Sequence, residues 1–293
     1  MTYLILCIIS STGIFLVFKF LDQKQLPSYP VILINYLVAS TLGFLINSWS
    51  VSIAETAQAE WIPISIVIGF LFIVMFFVVA ISSREAGISV TTVASKMSVV
   101  FPITFSMMID PADSLTLLKS VAIIATLTGV LLTVYEPAAL RTGKRKILLP
   151  LLLFAGMGMV DALVKFAQHR YVQDENTAIF SAVLFLMAFI TGLIILPFRK
   201  EGVSEFRGIA IWIWGIALGI VNFGSIYLMV SALNHVTPSG SRIDSSIIFG
   251  TNNIGIVTLS VLAGLLIFRE KLSPVNWLGI AVSIIAIILF SFS

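Results

Sequence analysis

Lys96, Asp161 and the doublet Asn252–Asn253 each stand inside a long run of apolar residues. A lysine at the centre of a bilayer costs roughly 2.5–3.5 kcal/mol on insertion scales. Lys96, between Ser95 and Met97, is too far from either end of its run to reach water easily. Two chemistries suit such a cation: holding an anionic group in a cavity, or releasing a proton. The structural alternative is a partner role toward Asp161 or toward backbone carbonyls. Asp161 lies four residues before Lys165, a spacing that turns two side chains toward each other on a helix. It therefore reads either as half of an intrahelical ion pair or as a carboxylate that binds and releases a proton.

Gly250 and Gly255 flank Asn252 and Asn253. Each glycine lowers helix stability by about 1 kcal/mol relative to alanine, so a bend or local unwinding is expected there. Unwound backbone at this depth must line a cavity or be buried in protein. Asn222, Tyr227, Asn35 and Tyr36 add polar groups, and Ser11 sits in the small polar segment Ser10–Gly13. For a lone asparagine the alternative is an interhelical hydrogen bond, contributing about 0.6–2 kcal/mol. Arg242 and Asp244 are a candidate gate pair.

Little else offers chemistry. Cys7 is the only cysteine, and the two histidines, His169 and His235, lie near the ends of their runs. An intrachain disulfide and a cysteine metal cluster are thereby excluded. No Gly-x-x-x-x-Gly-Lys-Ser/Thr, His-Glu-x-x-His or Gly-x-Ser-x-Gly pattern occurs. We therefore expect no catalytic residue, no metal, no cofactor and no nucleic-acid partner.

The elements that position these groups are ten apolar stretches, at roughly 2–21, 29–48, 61–81, 87–108, 115–135, 147–170, 178–197, 208–233, 239–267 and 274–291. Hydrophobic residues make up 59% of the 293 residues and charged residues 11%, and the mean hydropathy is +1.09. About 20 residues of helix cross a hydrocarbon core of roughly 30 Å. The runs are apolar on all sides rather than alternating, which favours helices over a barrel. The expected class is an all-α integral membrane protein of ten transmembrane helices. The first stretch has neither a basic leader nor a small-residue cleavage site and reads as a retained span. Trp49, Trp61, Trp212 and Trp277 fall near predicted span ends, as interfacial anchors do. Arg269, Glu270 and Lys271 read as a solvated turn that pins two helix ends.

The longest polar joint, Glu136 to Lys146, divides the stretches five and five. A faint repeat spans it: Lys19 in LVFKF answers Lys165 in ALVKF, and sixteen residues further on stand Asn35 and Ser181. Gly69 then aligns with Gly219, Ser89 with Ser239 and, after about seven extra residues near 250–256, Asp113 with Glu270. We place a first repeat at 1–138, a basic linker at 139–146 and a second repeat at 147–293. Two repeats of odd helix number insert in opposite orientations, the inverted plan that sets a site near the midplane between them. An even span count puts both termini on one side. Lysine and arginine cluster after odd-numbered stretches, which by charge alone places the termini outside.

On these residues the chain resembles the drug/metabolite transporter superfamily, in its ten-helix EamA-like branch. Lys19 and Lys165 match the lysine that often ends the first helix of each EamA repeat. Glu270–Lys271–Leu272, with Gly279 nine residues beyond Glu270, matches the family's turn before the last helix, and Pro102 matches a proline of the fourth helix. The chain departs from the pattern at Asn35, where the family often has arginine, at Asp113 in place of glutamate, and in the extra segment Gly250–Ile256. The resemblance implies a central cavity, alternating access to small metabolites or drugs, and both termini in the cytoplasm, opposite to the charge count.

The expected function is a secondary, non-ATP transporter of a small polar metabolite, an exporter or exchanger in a bacterial inner membrane. Its partners would be the substrate and the lipid bilayer. A monomer suffices and a dimer is possible. Substrate contacts are assigned to Lys96, Asn252, Asn253, Asn222, Tyr227, Asn35 and Ser11, and proton coupling to Asp161. The other classes considered are a non-transporting partner or receptor subunit and an intramembrane enzyme.

Overall fold

The computed structural model describes residues 2–46, 56, 58–109, 116–135, 145–171, 177–198, 202–234 and 245–292. Among these the structure is helical, with no strand. In chain order the helices are α1 (Thr2–Gln23), α2 (Ser28–Ile46), α3 (Ile62–Glu85), α4 (Ile88–Met97), α5 (Val100–Ile109), α6 (Leu117–Val134), α7 (Arg145–Tyr171), α8 (Thr177–Ile195), α9 (Ile209–Asn234), α10 (Ser245–Leu266) and α11 (Pro274–Ser291). Every apolar stretch of the sequence is occupied by helix. Among the described residues eight helices are long and apolar enough to cross a membrane. The fourth stretch, as Ile88–Thr104, and the tenth, as Pro274–Phe290, are shorter. Outward faces carry Ile5, Ile9, Phe70, Ile124, Leu131 and Ile213, all exposed. That much outward apolar surface needs lipid to cover it.

The fourth stretch is not one helix. It breaks at Ser98–Val99, between α4 and α5. Pro102 supplies the cause: it lacks the N–H that would bond the Ser98 carbonyl, and its ring crowds that carbonyl. Phe101 N–H bonds the Ser98 carbonyl instead, at 2.9 Å. The ninth stretch behaves oppositely. The bend expected around Asn252–Asn253 is absent, since α10 runs unbroken from Ser245 to Leu266. Gly255 serves close packing there: a Cβ on it would lie 2.5 Å from Cδ1 of Ile8 on α1.

The main contacts between residues before and after the polar joint come in exchanged pairs. Helix α1 packs on α9 as α7 packs on α3, and α2 on α9 as α8 on α3. Helix α1 also meets α10, as α7 meets α4 and α5. The remaining large contacts join α2 to α8, α4 to α10 and α6 to α11. Gly69 and Gly219, aligned in the sequence repeat, each sit in such a contact. A Cβ on Gly69 would lie 2.6 Å from Met187 Cβ of α8, and one on Gly219 2.6 Å from Val38 Cβ of α2. One apolar core draws chiefly on α1, α2, α3, α7, α8 and α9. A second draws chiefly on α4, α6, α10 and α11.

Local capping fixes the last helix. Ser273 Oγ accepts from Asn276 N–H at 3.2 Å while Asn276 Oδ1 accepts from Ser273 N–H at 2.9 Å. This reciprocal box stops α11 where Pro274 begins it. The Asn276 amide also donates to the carbonyls of Thr133 and Tyr135, at 2.8 and 3.1 Å, tying the end of α6 to the start of α11. Trp61 is not an interfacial anchor. It is buried and meets Phe180 edge-on, with ring centroids 5.4 Å apart. Trp212 and Trp277 are exposed, and Trp49 lies outside the described residues.

Candidate functional site

Lys96 occupies the last turn of α4, just before the break. The break brings Ser98 to face α7. Its hydroxyl lies 2.6 Å from the Ser95 carbonyl oxygen and 3.3 Å from Oδ2 of Asp161. Asp161 and Lys96 stand within electrostatic range of each other, yet among the described residues they form no ion pair at 4.0 Å or less. A lysine from residues before the polar joint and a carboxylate from residues after it, both half-buried, thus share one neighbourhood. Helix α1 adds Cys7, which stands near Lys96 and Ser11. The Cys7 thiol also donates to the Ser225 carbonyl of α9 at 3.2 Å.

Asn252 is buried on α10, and its Oδ1 has no hydrogen-bond partner among the described residues. The same holds for the hydroxyls of Thr12 on α1 and Thr92 on α4. Buried polar atoms are usually paired, so three orphans on the helices around Lys96 mark polar capacity that the fold itself does not use. Asn253 follows on α10, half-buried.

Asn35 and Asn222 are committed to each other. Asn222 Nδ2 donates to Asn35 Oδ1 at 3.0 Å, and Asn35 Nδ2 donates to the Ile32 carbonyl at 3.4 Å. Gly219, whose added Cβ would lie 2.9 Å from the Asn35 carbonyl oxygen, permits this approach of α2 and α9. A double-mutant cycle of Asn35→Leu and Asn222→Leu, read by thermal unfolding, is expected to give a coupling of about 0.6–1.7 kcal/mol. Additive single effects would show that the bond contributes nothing. Tyr36 spends its hydroxyl on the Phe72 carbonyl at 2.9 Å. Tyr227 is exposed and stacks on Phe223, centroids 5.7 Å apart, away from the buried polar groups. Arg242 and Asp244 lie outside the described residues, as does Asp113.

The charged turn after α10 is where the sequence reading falls short. Glu270 is not a solvated turn residue, for its side chain is only 11% exposed. Its carboxylate caps the start of α4, accepting from Ile88 N–H at 2.6 Å, Ser89 N–H at 3.2 Å and Ser89 Oγ at 2.9 Å. It also pairs with Lys19 Nζ at 3.7 Å, and Lys19 donates to the Ser83 carbonyl at 3.2 Å. Gly87, at φ +90°, and Gly264 leave room for it. A Cβ on either would stand 2.7 or 2.6 Å from a Glu270 carboxylate oxygen. The pairing of Gly87–Ser89 with Glu270 was not legible in one dimension. Glu270 and Ser89 are 181 residues apart.

At the same end of the bundle a cavity of about 410 Å³ opens between Phe18, Asp22, Gln25, Arg84 and Glu205. Arg84 pairs there with Asp22 at 3.3 Å. Its lining includes neither Lys96 nor Asp161.

Residues 147–292 match the EamA-like transporter family. This segment belongs to that family. The family lies within the drug/metabolite transporter superfamily, so the resemblance read from Lys165, Glu270 and Gly279 stands. The EamA-like match and the apolar helices together support a multi-pass integral membrane protein. Across 290 residues the chain is 26% identical to an uncharacterized protein of Haemophilus influenzae, covering 97% of this chain and 95% of that one. A crystal structure of a protein shares the fold at a TM-score of 0.52 and 14% identity, with 97% of each chain covered.

Proposed function

We propose that this chain is a secondary transporter of a small polar metabolite, working by alternating access as an exporter or exchanger. The observation that carries the reading is the Lys96–Asp161 neighbourhood. It is a half-buried cation and carboxylate, one from each side of the polar joint, at a helix break. Substrate would bind at Lys96 with Ser11, Asn252 and Asn253, and Asp161 would carry the coupled proton. Ten membrane crossings in two inverted five-helix repeats, 1–138 and 147–293 about the linker 139–146, would enclose this site. The exchanged helix contacts and the matched placement of Gly69 and Gly219 support that plan. The termini would share one side of a bacterial inner membrane.

Ligand-induced thermal stabilisation of the purified protein tests this. The panel would hold amino acids, sugars, nucleotides, nucleotide sugars and organic cations, followed by flux of any hit into proteoliposomes across a pH gradient. A true ligand at 100 times its Kd adds about 2.7 kcal/mol of stability. Asp161→Asn is expected to keep exchange of that ligand while abolishing its pH-driven accumulation. Unchanged accumulation would remove Asp161 from proton coupling. A panel without hits, together with a stable copurifying protein, would favour a partner subunit instead.

A further inference from the structure

Glu270, from the turn after α10, places its carboxylate on the first N–H groups of α4. Its oxygens occupy the N–H groups of Ile88 and Ser89 and the Ser89 hydroxyl, and the ammonium of Lys19 stands 3.7 Å away. The first N–H groups of a helix have no partner within it and attract negative charge. Glu270 therefore serves α4 as a cap, but one supplied from the turn after α10 rather than from α4's own sequence. Gly87, the residue just before α4, contributes no side-chain bond.

The clasp lies at the start of α4, and Lys96 stands in the last turn of the same helix. Gly264 of α10 meets Ser89 of α4, while Gly255 meets Ile8 of α1, next to the Cys7 that stands near Lys96. Helices α4 and α10 thus run antiparallel, and α1 runs antiparallel to α4. Between the clasp and Lys96 stand Thr92 on α4, Thr12 on α1 and Ser260 on α10. All three are buried, and none of their hydroxyls has a hydrogen-bond partner among the described residues. Unused hydroxyls on three helices are suited to line a path for water and polar solutes, one that would end at the Glu270–Lys19 contact.

We infer that Glu270 is a gate and positioning residue. Held on α4 and Lys19, it closes the path from Lys96 to this end of the bundle; released, it frees α4, and with it Lys96, to move. The inference rests on the alternating-access reading for its purpose but not for its test. Because a carboxylate at a helix cap and an ammonium are both engaged, exchanging the two charges cannot restore closure. A lysine at 270 has no acceptor for the α4 N–H groups.

The test is labelling by a membrane-impermeant maleimide in sealed vesicles of both orientations. Ser260→Cys would be the reporter, measured against the parent whose only thiol is Cys7. Glu270→Gln is expected to raise the reporter's labelling rate at least tenfold, and only from the side that carries the clasp. Lys19→Gln and Ser89→Ala should raise it less, since each removes part of the clasp, and Lys19→Glu/Glu270→Lys should label as fast as Glu270→Gln. Melting temperature in detergent identifies any variant that is merely unfolded, and Ser89→Ala keeps the inference exposed if Glu270→Gln is one. Equal labelling in the parent, Glu270→Gln and Ser89→Ala backgrounds would overturn the gate. So would full closure in the charge-exchanged double variant. Increased labelling in a protein that carries no flux would support the gate while refuting the transport reading, so the two fail separately.

Discussion

Lys96→Ala is expected to lower flux of the cognate ligand by roughly 10- to 150-fold, while the protein stays folded. A hydrogen bond to a charged group contributes about 1.5–3 kcal/mol, and every 1.4 kcal/mol is about tenfold in affinity or rate. Stability should not follow. A lysine at this depth is itself an insertion cost, and Lys96 makes no direct ion pair among the described residues whose loss would unfold the site. The single substitution does leave Asp161 with only Ser98 as a neighbour bond. Lys96→Ala/Asp161→Asn removes both charges and is expected to melt at or above the wild-type temperature, still without transport. Wild-type flux in Lys96→Ala would make the lysine structural. A loss of folded protein in both variants would do the same.

Gly279→Ala should have the largest effect on folding. A Cβ there would stand 2.3 Å from the Thr133 nitrogen and 2.7 Å from the Leu132 carbonyl carbon. Those are backbone atoms of α6, so no rotamer change relieves the clash and α11 must move off α6 as a unit. That movement would also stretch the two bonds from Asn276 to Thr133 and Tyr135. Overpacking alone costs about 1–3 kcal/mol. With the bonds added, the monodisperse yield in detergent is expected to fall several-fold and the melting temperature by many degrees. Gly129→Ala strikes the same interface, its Cβ falling 2.9 Å from the Ser283 nitrogen. Gly13→Ala is the control, meeting only the Val221 side chain at 3.3 Å. Equal stability of Gly279→Ala and Gly13→Ala would show that the helix contact yields easily.

The same residues mark how far one dimension reaches. Gly279 was legible as a motif position nine residues after Glu270, but its task, a backbone-to-backbone approach to Thr133, was not. Pro102 was legible as a family proline, yet the break it causes lies where the glycines at 250 and 255 had not pointed. Propensity alone assigned the flexible segment to the ninth stretch because glycine weakens a helix. Packing decided otherwise, since Gly255 is used to admit Ile8 and the helix remains whole. Asn35 and Asn222 were separate candidates until the fold joined them in one bond. Tyr227 is carried to the surface by the rotation of α9.

The sequence by itself determined the membrane class, the helical elements and the placing of Lys96 and Asp161 inside apolar runs. These follow from local composition and from the cost of placing polar backbone and charge in hydrocarbon, and neither depends on a partner. Only the tertiary structure decided which polar groups are spent on each other and which stay unused, and that Glu270 closes the start of α4 rather than facing water. Those outcomes rest on contacts between residues far apart in the chain, 187 positions for Asn35 and Asn222 and 181 for Ser89 and Glu270. The direction in which a side chain points across a helix bundle is set by its neighbours and not by its own segment.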